Sequence, residues 1–188
     1  ISTPIHSCST IKEVIWGVQR QSDLNKIEKE LSKDRKVRIL KDKSLRTVDD
    51  MGLGIGFRTS RRKELDPEPL SFNMPGRITR VDKRAKFYDR AEPLAISHIV
   101  FGVPDCKVIE EFYGRIGFVA TDRYYSDRGV FLRASERGNH HNLFVMNIGG
   151  RKPKFNHVAF KVRDIHEVIG GGQFLNKNGW ETAVGPGR

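Results

Sequence analysis

The stretch that decides the fold is His98-Ile-Val-Phe-Gly-Val103, because the same pattern occurs twice more in the chain. Glu13-Val-Ile-Trp-Gly-Val18 precedes it and His157-Val-Ala-Phe-Lys-Val162 follows it. Each copy is a short β-type run that ends in valine, and a repeat of this kind indicates repeated structural modules. Since side chains alternate between the two faces of a strand, each copy places its large apolar side chains on one face. These apolar sets are Val14, Trp16 and Val18; Ile99, Phe101 and Val103; and Val158, Phe160 and Val162. The first residues, Glu13, His98 and His157, point to the opposite face.

A helix is predicted after each repeated strand. The first covers Ser22–Leu31, with apolar residues at helical spacing. Asp105 is suited to cap the second helix, and Asp164 with Glu167 predicts a capping box at the start of the third. Three consecutive glycines, residues 170–172, leave the end of the third helix undefined, because each costs roughly 1 kcal/mol in a helix interior.

Further β-type runs follow the first two helices and complete a β-α-β-β-β module in each case. They are Lys36–Leu40, Ser44–Val48 and Gly52–Arg58 in the first module, and Gly117–Tyr125, Gly129–Arg133 and Asn142–Asn147 in the second. The third module stops after its helix. A polar stretch with several prolines, residues 63–94, reads as a linker. We therefore predict an N-terminal module at 1–62, this linker, and a C-terminal domain at 95–188 whose last module is incomplete.

Composition limits the function classes. The 188 residues are 37% hydrophobic, and no run of eighteen apolar residues exists, so the sequence predicts no membrane partner. The net charge is +11, but acids are interleaved with the bases and no nucleic-acid-binding motif appears. We interpret the charge as a solvated basic surface or a field that attracts anionic substrates, and expect no nucleic-acid partner. Cys8 and Cys106 form no CxxC pair and read as reduced thiols of a cytoplasmic protein.

The order of several motifs resembles the vicinal oxygen chelate superfamily, which comprises glyoxalase, bleomycin-resistance and dioxygenase proteins. Within it, four segments together resemble type I extradiol ring-cleavage dioxygenases: Leu94–Asp105, Asn139-His-His141, Phe155-Asn-His157 and Gly185-Pro-Gly-Arg188. The resemblance covers residues 12–188. It implies an α+β fold of tandem β-α-β-β-β modules that form cupped mixed sheets, with the helices outside.

The resemblance also implies site residues. His98 and His157 match the two histidine ligands of a non-haem Fe(II), with Mn(II) as an alternative metal. Two imidazoles and a carboxylate on one face of Fe(II) leave positions for a catechol and for O₂. His141 matches the acid–base histidine, a role suited to a side chain with a pKa near neutrality. His140, Phe131 and Arg188 are expected to contact substrate.

This chain departs from the family pattern in three places. The family's third ligand is a Glu that we expect beyond residue 188, so we expect an incomplete iron site. A further module is expected before residue 12. Glu13 stands where a ligand histidine would stand, so we expect the first module to be structural and metal-free.

The favoured function is extradiol cleavage of a small aromatic diol by O₂ in a homo-oligomeric enzyme. Two alternatives stay open: a glyoxalase-like isomerase that uses another metal, and a metal-free drug-binding protein of the resistance type. A lone histidine at a strand start is more often a structural residue than a ligand. His166 is expected to be exposed, and His6 to lie in a loose terminus.

Overall fold

The computed structural model describes residues 11–60, 73–125, 127–150 and 152–182. The first module contains four strands and one helix: β1 (Glu13–Val18), α1 (Gln21–Leu31), β2 (Arg38–Ile39), β3 (Leu45–Val48) and β4 (Gly54–Thr59). The second contains β5 (Ala95–Val103), α2 (Cys106–Arg115), β6 (Val119–Tyr124), β7 (Gly129–Arg133) and β8 (Leu143–Asn147). The third begins with β9 (Lys154–Lys161) and α3 (Ile165–Lys177). None of the described helices is long and apolar enough to cross a membrane.

The strands form two mixed sheets, which confirms the predicted α+β class. The four-stranded sheet has the order β1-β4-β3-β2, with β1 parallel to β4 and antiparallel pairs elsewhere. The five-stranded sheet has the order β6-β7-β8-β5-β9, with β5 parallel to β8. The first sheet and the β6-β7-β8-β5 part of the second share one strand order, so each position in one module has a counterpart in the other.

The chain divides into two compact units. The first combines the described residues of 1–62 with 97–158, and the second combines those of 63–96 with 159–188. Each unit combines two separate stretches of the chain. The boundaries predicted for the linker and the C-terminal domain therefore stay predictions. The first unit contains the strands and helices of the first two modules, except for the first two residues of β5. It also contains His98, His140, His141 and His157.

One apolar core serves both modules of the first unit. It contains Leu24, Ile27 and Leu31 of α1 together with Ile109 and Phe112 of α2, all buried. The apolar face predicted for β1 packs against this core, so its one-sided pattern is confirmed. In β5 the residues from Ile99 to Val103 are all buried, so both faces of this part of the strand are covered.

Polar contacts join α2 to the first module. Tyr113, on α2, is buried and donates a hydrogen bond to Asp49 Oδ2 at 3.1 Å, and its ring lies edge-on to that of Trp16. Arg115 pairs with Glu30 Oε1 at 3.1 Å and with Asp34 Oδ2 at 2.5 Å. These contacts fix the helix of the second module to the helix and turn of the first.

Both predicted aspartate caps are present. Asp105 accepts a hydrogen bond from the Lys107 backbone N–H at 2.8 Å, and Asp164 accepts one from that of Glu167 at 2.9 Å. The second half of the predicted capping box differs, because the Glu167 carboxylate accepts from the backbone N–H groups of Arg163 and Glu92. This fully buried carboxylate also pairs with the Arg163 guanidinium.

The glycines of α3 have a packing role within the second unit. The helix continues through them to Lys177. A Cβ at Gly170 would collide with the Tyr88 carbonyl, and one at Gly171 would lie 2.6 Å from the Ala91 side chain. The predicted linker therefore packs closely on this helix, and Tyr88 donates a hydrogen bond to Asp164 at 2.9 Å.

Some expectations are wrong in detail. The strand predicted at Lys36–Leu40 is only two residues long. Phe160 is predicted to share a packed face with Val158 and Val162, but its side chain is 52% exposed, on the edge strand of the described sheet. His166 was expected to be exposed and is half-buried.

A candidate metal site on the second module

Three histidines from three parts of the sequence lie together in the first unit. His98 comes from β5, His157 from β9, and His141 from the loop between β7 and β8. The Nε2 atoms of His98 and His157 are 3.2 Å apart. The rings of His98 and His141 have centroids 4.3 Å apart. Equivalent first-strand positions of two modules thus converge, as the repeat predicts, while the ligand role of these residues remains a prediction.

The distance between the two Nε2 atoms tests whether a metal fits. A metal with two imidazole nitrogens at about 2.1 Å and an angle of about 90–109° separates them by about 3.0–3.4 Å. The observed separation lies within that range. His157 Nδ1 is 2.7 Å from the Asn156 side-chain oxygen, which accepts a hydrogen bond from it. This contact leaves the lone pair on Nε2, the arrangement typical of a metal-binding histidine.

The donor set is also electrostatically suited to a metal. Burial, with a smaller effect of His157, lowers the pKa of His98. Burial and the neighbouring histidines lower the pKa of His141 to about 4. Both imidazoles are therefore neutral near pH 7, the form that binds a metal or accepts a proton. Among the described residues, no group of three or more His, Cys, Asp or Glu side chains forms a complete metal site.

The His140–His141 pair is oriented by β6. Its strand carries a bulge between Ala120 and Asp122, a feature that often redirects side chains next to functional sites. At the bulge, the Thr121 hydroxyl donates to the His140 carbonyl at 2.8 Å. The Asp122 carboxylate lies 3.8 Å from His140 Nε2, and His140 Nδ1 lies 3.1 Å from His141 Nδ1.

This arrangement favours one tautomer of each ring. The carboxylate favours a proton on His140 Nε2, so His140 Nδ1 accepts a hydrogen bond from His141 Nδ1. The lone pair of His141 is then on Nε2, where it can accept a proton. Asp122 thus adjoins the histidine ring that contacts His141.

An aromatic wall adjoins the histidines. Phe131, a predicted substrate-contacting residue, is stacked on Phe144 with centroids 4.1 Å apart and rings 13° from parallel. Its ring also lies edge-on to His140 and His141 at 5.2 and 4.9 Å. A flat aromatic ligand finds suitable contacts on such a surface. Arg188 lies outside the described residues, so its predicted substrate contact is not tested.

Sequence reasoning missed three contributors to this site. Asn156 orients His157, Phe144 supports Phe131, and Asp122 faces His140. Asn156 was part of a recognised motif, but its role needs the side-chain contact. The other two lie directly opposite Phe131 in the neighbouring strands, so only the strand register reveals them.

Several solved structures have a similar fold. The Mn(II)-bound glyoxalase from Novosphingobium aromaticivorans is 20% identical, with a TM-score of 0.68 over 94% of this chain and 55% of that one. A halotolerant catechol dioxygenase is 16% identical, with a TM-score of 0.64 over 90% and 56%. A variant of homoprotocatechuate 2,3-dioxygenase from Brevibacterium fuscum is 19% identical, with a TM-score of 0.63 over 89% and 45%.

These similarities define the fold of this chain. It is the fold of these glyoxalase and dioxygenase structures, which confirms the predicted architecture. The chain spans about half the length of the solved structures to which it is similar. No protein-family model and no curated protein matches this sequence.

Proposed function

We propose that this chain is part of an Fe(II)-dependent extradiol dioxygenase that opens the ring of a small aromatic diol. The observation that carries the proposal is the convergence of His98, His157 and His141 beside the wall of Phe131 and Phe144. Two imidazoles whose Nε2 atoms are 3.2 Å apart suit one metal ion, and the neutral imidazole of His141 beside them suits proton transfer.

His98 and His157 would hold the metal, and the third ligand would come from outside the described residues. Fe(II) bound there would supply adjacent coordination positions for both hydroxyls of the diol and for O₂. Mn(II) could replace Fe(II), since similar oxygen and nitrogen ligands bind both metals. We infer a homo-oligomeric, cytoplasmic enzyme without a nucleic-acid or membrane partner.

The protein residues have separate tasks in this proposal. His141 accepts the proton of a substrate hydroxyl on Nε2 and returns it when the ring opens. Its lowered pKa keeps it unprotonated near pH 7, so Nε2 can accept a hydrogen bond from a substrate hydroxyl. Asp122 and His140 hold the tautomer that this task requires. Phe131 orients the aromatic ring of the substrate by stacking.

Oxygen consumption tests the proposal. The protein is loaded with Fe(II) under anaerobic conditions and mixed with a panel of catechols in air-saturated buffer. We expect uptake of one O₂ per diol and a yellow ring-opened product with at least one substrate. Absence of uptake with every diol, in a preparation that retains one Fe(II) per chain, would refute the assignment.

A metal-dependent isomerase is the second candidate, supported by the fold similarity to an Mn(II)-bound glyoxalase. An isomerase of this kind consumes no O₂ and converts a thiohemiacetal into a thioester. The same metal-loaded protein, assayed with methylglyoxal and a thiol, separates the two reactions.

A further inference from the structure

The outward face of the first module carries an unusual set of charges. This face of the four-stranded sheet is opposite to the one that packs on the core. It contains a groove of about 720 Å³ whose walls include five cationic side chains and one carboxylate. They are Lys12, Arg35, Lys36, Arg38, Arg46 and Glu13.

Two of the arginines are direct neighbours across the sheet. Arg38 on β2 is opposite Arg46 on β3, which in turn is opposite Gly56 on β4. Like charges at directly opposite positions of neighbouring strands are destabilising. Glu13 Oε1 contacts Arg46 Nε at 2.9 Å and compensates one of the two charges. Arg38 has no ion pair with any other described residue.

Glycine makes room for the Arg46 side chain. A Cβ at Gly56 would lie 2.7 Å from Arg46 Nη1 and 2.9 Å from its Cδ. The Arg46 side chain therefore lies close against Gly56 of β4. Its Nη1 also donates a hydrogen bond to the Leu45 carbonyl at 2.8 Å. A glycine inside a strand often marks a place where a ligand approaches the backbone closely. The contacts with Glu13 and with the Leu45 carbonyl thus hold the Arg46 side chain in position.

Acidic side chains do not neutralise all the positive charge around the groove. Arg35 is already engaged by Asp34, Asp50 and the Val48 carbonyl. Lys12 and Lys36 have no ion pair within the described part of the chain. Acidic partners balance the charges of Arg46 and Arg35. The positive charges of the other three groove cations remain, those of Lys12, Lys36 and Arg38.

We propose that this groove binds a small organic dianion, with its oxyanion head between Arg38 and Arg46. A phosphate or carboxylate head fits the planar donors of a guanidinium, which form paired hydrogen bonds with such groups. Binding relieves the repulsion between the two arginines. Lys12 and Lys36 supply the remaining attraction for a second negative charge.

The probes are inorganic phosphate and succinate, which represent the two types of head group. Each is titrated into the protein at constant ionic strength set with KCl, and backbone amide shifts are followed by NMR. We expect saturable binding, with the largest shifts at residues 38, 46 and 56. Saturation by phosphate alone points to a phosphate ester, and saturation by both points to dianions in general.

Charge-changing variants test the position of the site. Arg38→Gln should weaken binding about tenfold, because one charge-assisted contact is lost. Glu13→Gln should strengthen it several-fold, because the competing carboxylate is removed. Arg123→Gln is the matched control: it also removes one exposed arginine, but from the second module, where Arg123 pairs with Glu110. It should change the affinity by less than twofold.

Gly56→Ala is the steric test. The added methyl displaces the Arg46 guanidinium and should weaken binding while circular dichroism stays unchanged. The proposal is overturned if the shifts do not saturate, or if Arg38→Gln and Arg123→Gln weaken binding equally. It is also overturned if only an oligonucleotide binds, with a steep dependence on salt.

Discussion

The outward faces of the first two modules share one strand order but carry different chemistry. Across the first sheet, one row of opposed residues contains Ile15, Gly56, Arg46 and Arg38. The corresponding row of the second sheet contains Val100, Phe144, Phe131 and Asp122. Glu13 of the first module takes the repeat position of His98.

The connections between the last two strands of each module differ as well. In the first module a short turn is closed by Asp49, whose Oδ1 accepts hydrogen bonds from the backbone N–H groups of Met51 and Leu53, each at 3.0 Å. In the second module a longer loop carries His140 and His141. The comparison teaches that the modules share a backbone plan, while a few side chains on one face decide between a cationic groove and a histidine cluster.

Loss of a ligand histidine should have the largest effect. His98→Ala or His157→Ala removes one of the two imidazoles that the described site offers, so bound Fe(II) and oxygen uptake should fall by at least about 1,000-fold. Atomic absorption measures the bound Fe(II), and an oxygen electrode measures the oxygen uptake.

Glu13→His makes the complementary change in the first module. It should leave the stoichiometry at one metal per chain, because none of the described residues on the first face is a histidine that corresponds to His157. Two metals per chain in that variant would show that the outward face of the first module can also form a metal site.

Replacement of the third histidine should separate chemistry from metal binding. His141→Asn should lower the turnover number by about 10²–10⁴-fold, the usual contribution of a general acid–base group. The Fe(II) content should remain that of the wild type. A parallel loss of metal would instead make His141 a ligand.

The Asp49 turn of the first module should give stability a distinct pH dependence. Burial raises the pKa of Asp49 from 3.8 to about 6, and the hydrogen bonds from Leu53, Tyr113 and Met51 oppose the shift only in part. A folded-state pKa above the unfolded one means that folding favours the protonated form. The stabilising contribution is thus complete below about pH 4 and is lost as the pH rises to about 6.

Denaturant unfolding of the wild type and of Asp49→Asn, from pH 4 to 7, measures this effect. Relative to the variant, the wild type should lose at most about 3 kcal/mol over the interval. The second module, whose loop lacks such a carboxylate at this position, offers no matching dependence. A relative gain in wild-type stability with rising pH would contradict the assignment.

The smallest effect is expected for Asp122, which acts at a distance. Asp122→Asn weakens the preference for the required His140 tautomer, and turnover should fall by about tenfold or less. The KM for the diol should not change. Asp127→Asn removes another exposed carboxylate of the same module and serves as the control. Equal losses in the two variants would mean that general charge, and not the contact with His140, is responsible.

The sequence predicts the strands and helices of the modules well, because the patterns that define them involve residues close together in the chain. The alternation in β1, the spacing of Leu24, Ile27 and Leu31, and the caps at Asp105 and Asp164 all depend on neighbours in the chain. The repeat also predicts that His98 and His157 meet, since equivalent positions of paired modules can converge.

The remaining features depend on residues far apart in sequence. The burial of Glu167 requires Glu92 from the linker, and Gly170 is needed only because Tyr88 packs against it. The pairing of Arg38 with Arg46, and of Asp122 with Phe131, follows from strand register. This register depends on tertiary contacts, so it cannot be predicted from a single sequence.

The attachment of α2 has a consequence for how the protein melts. This helix packs beneath the sheet that bears the histidines, yet Tyr113 and Arg115 tie it to Asp49, Glu30 and Asp34 of the other module. The two modules should therefore lose structure in a single cooperative transition on heating. We infer that these contacts of α2 with the first module help the histidine cluster to keep its spacing.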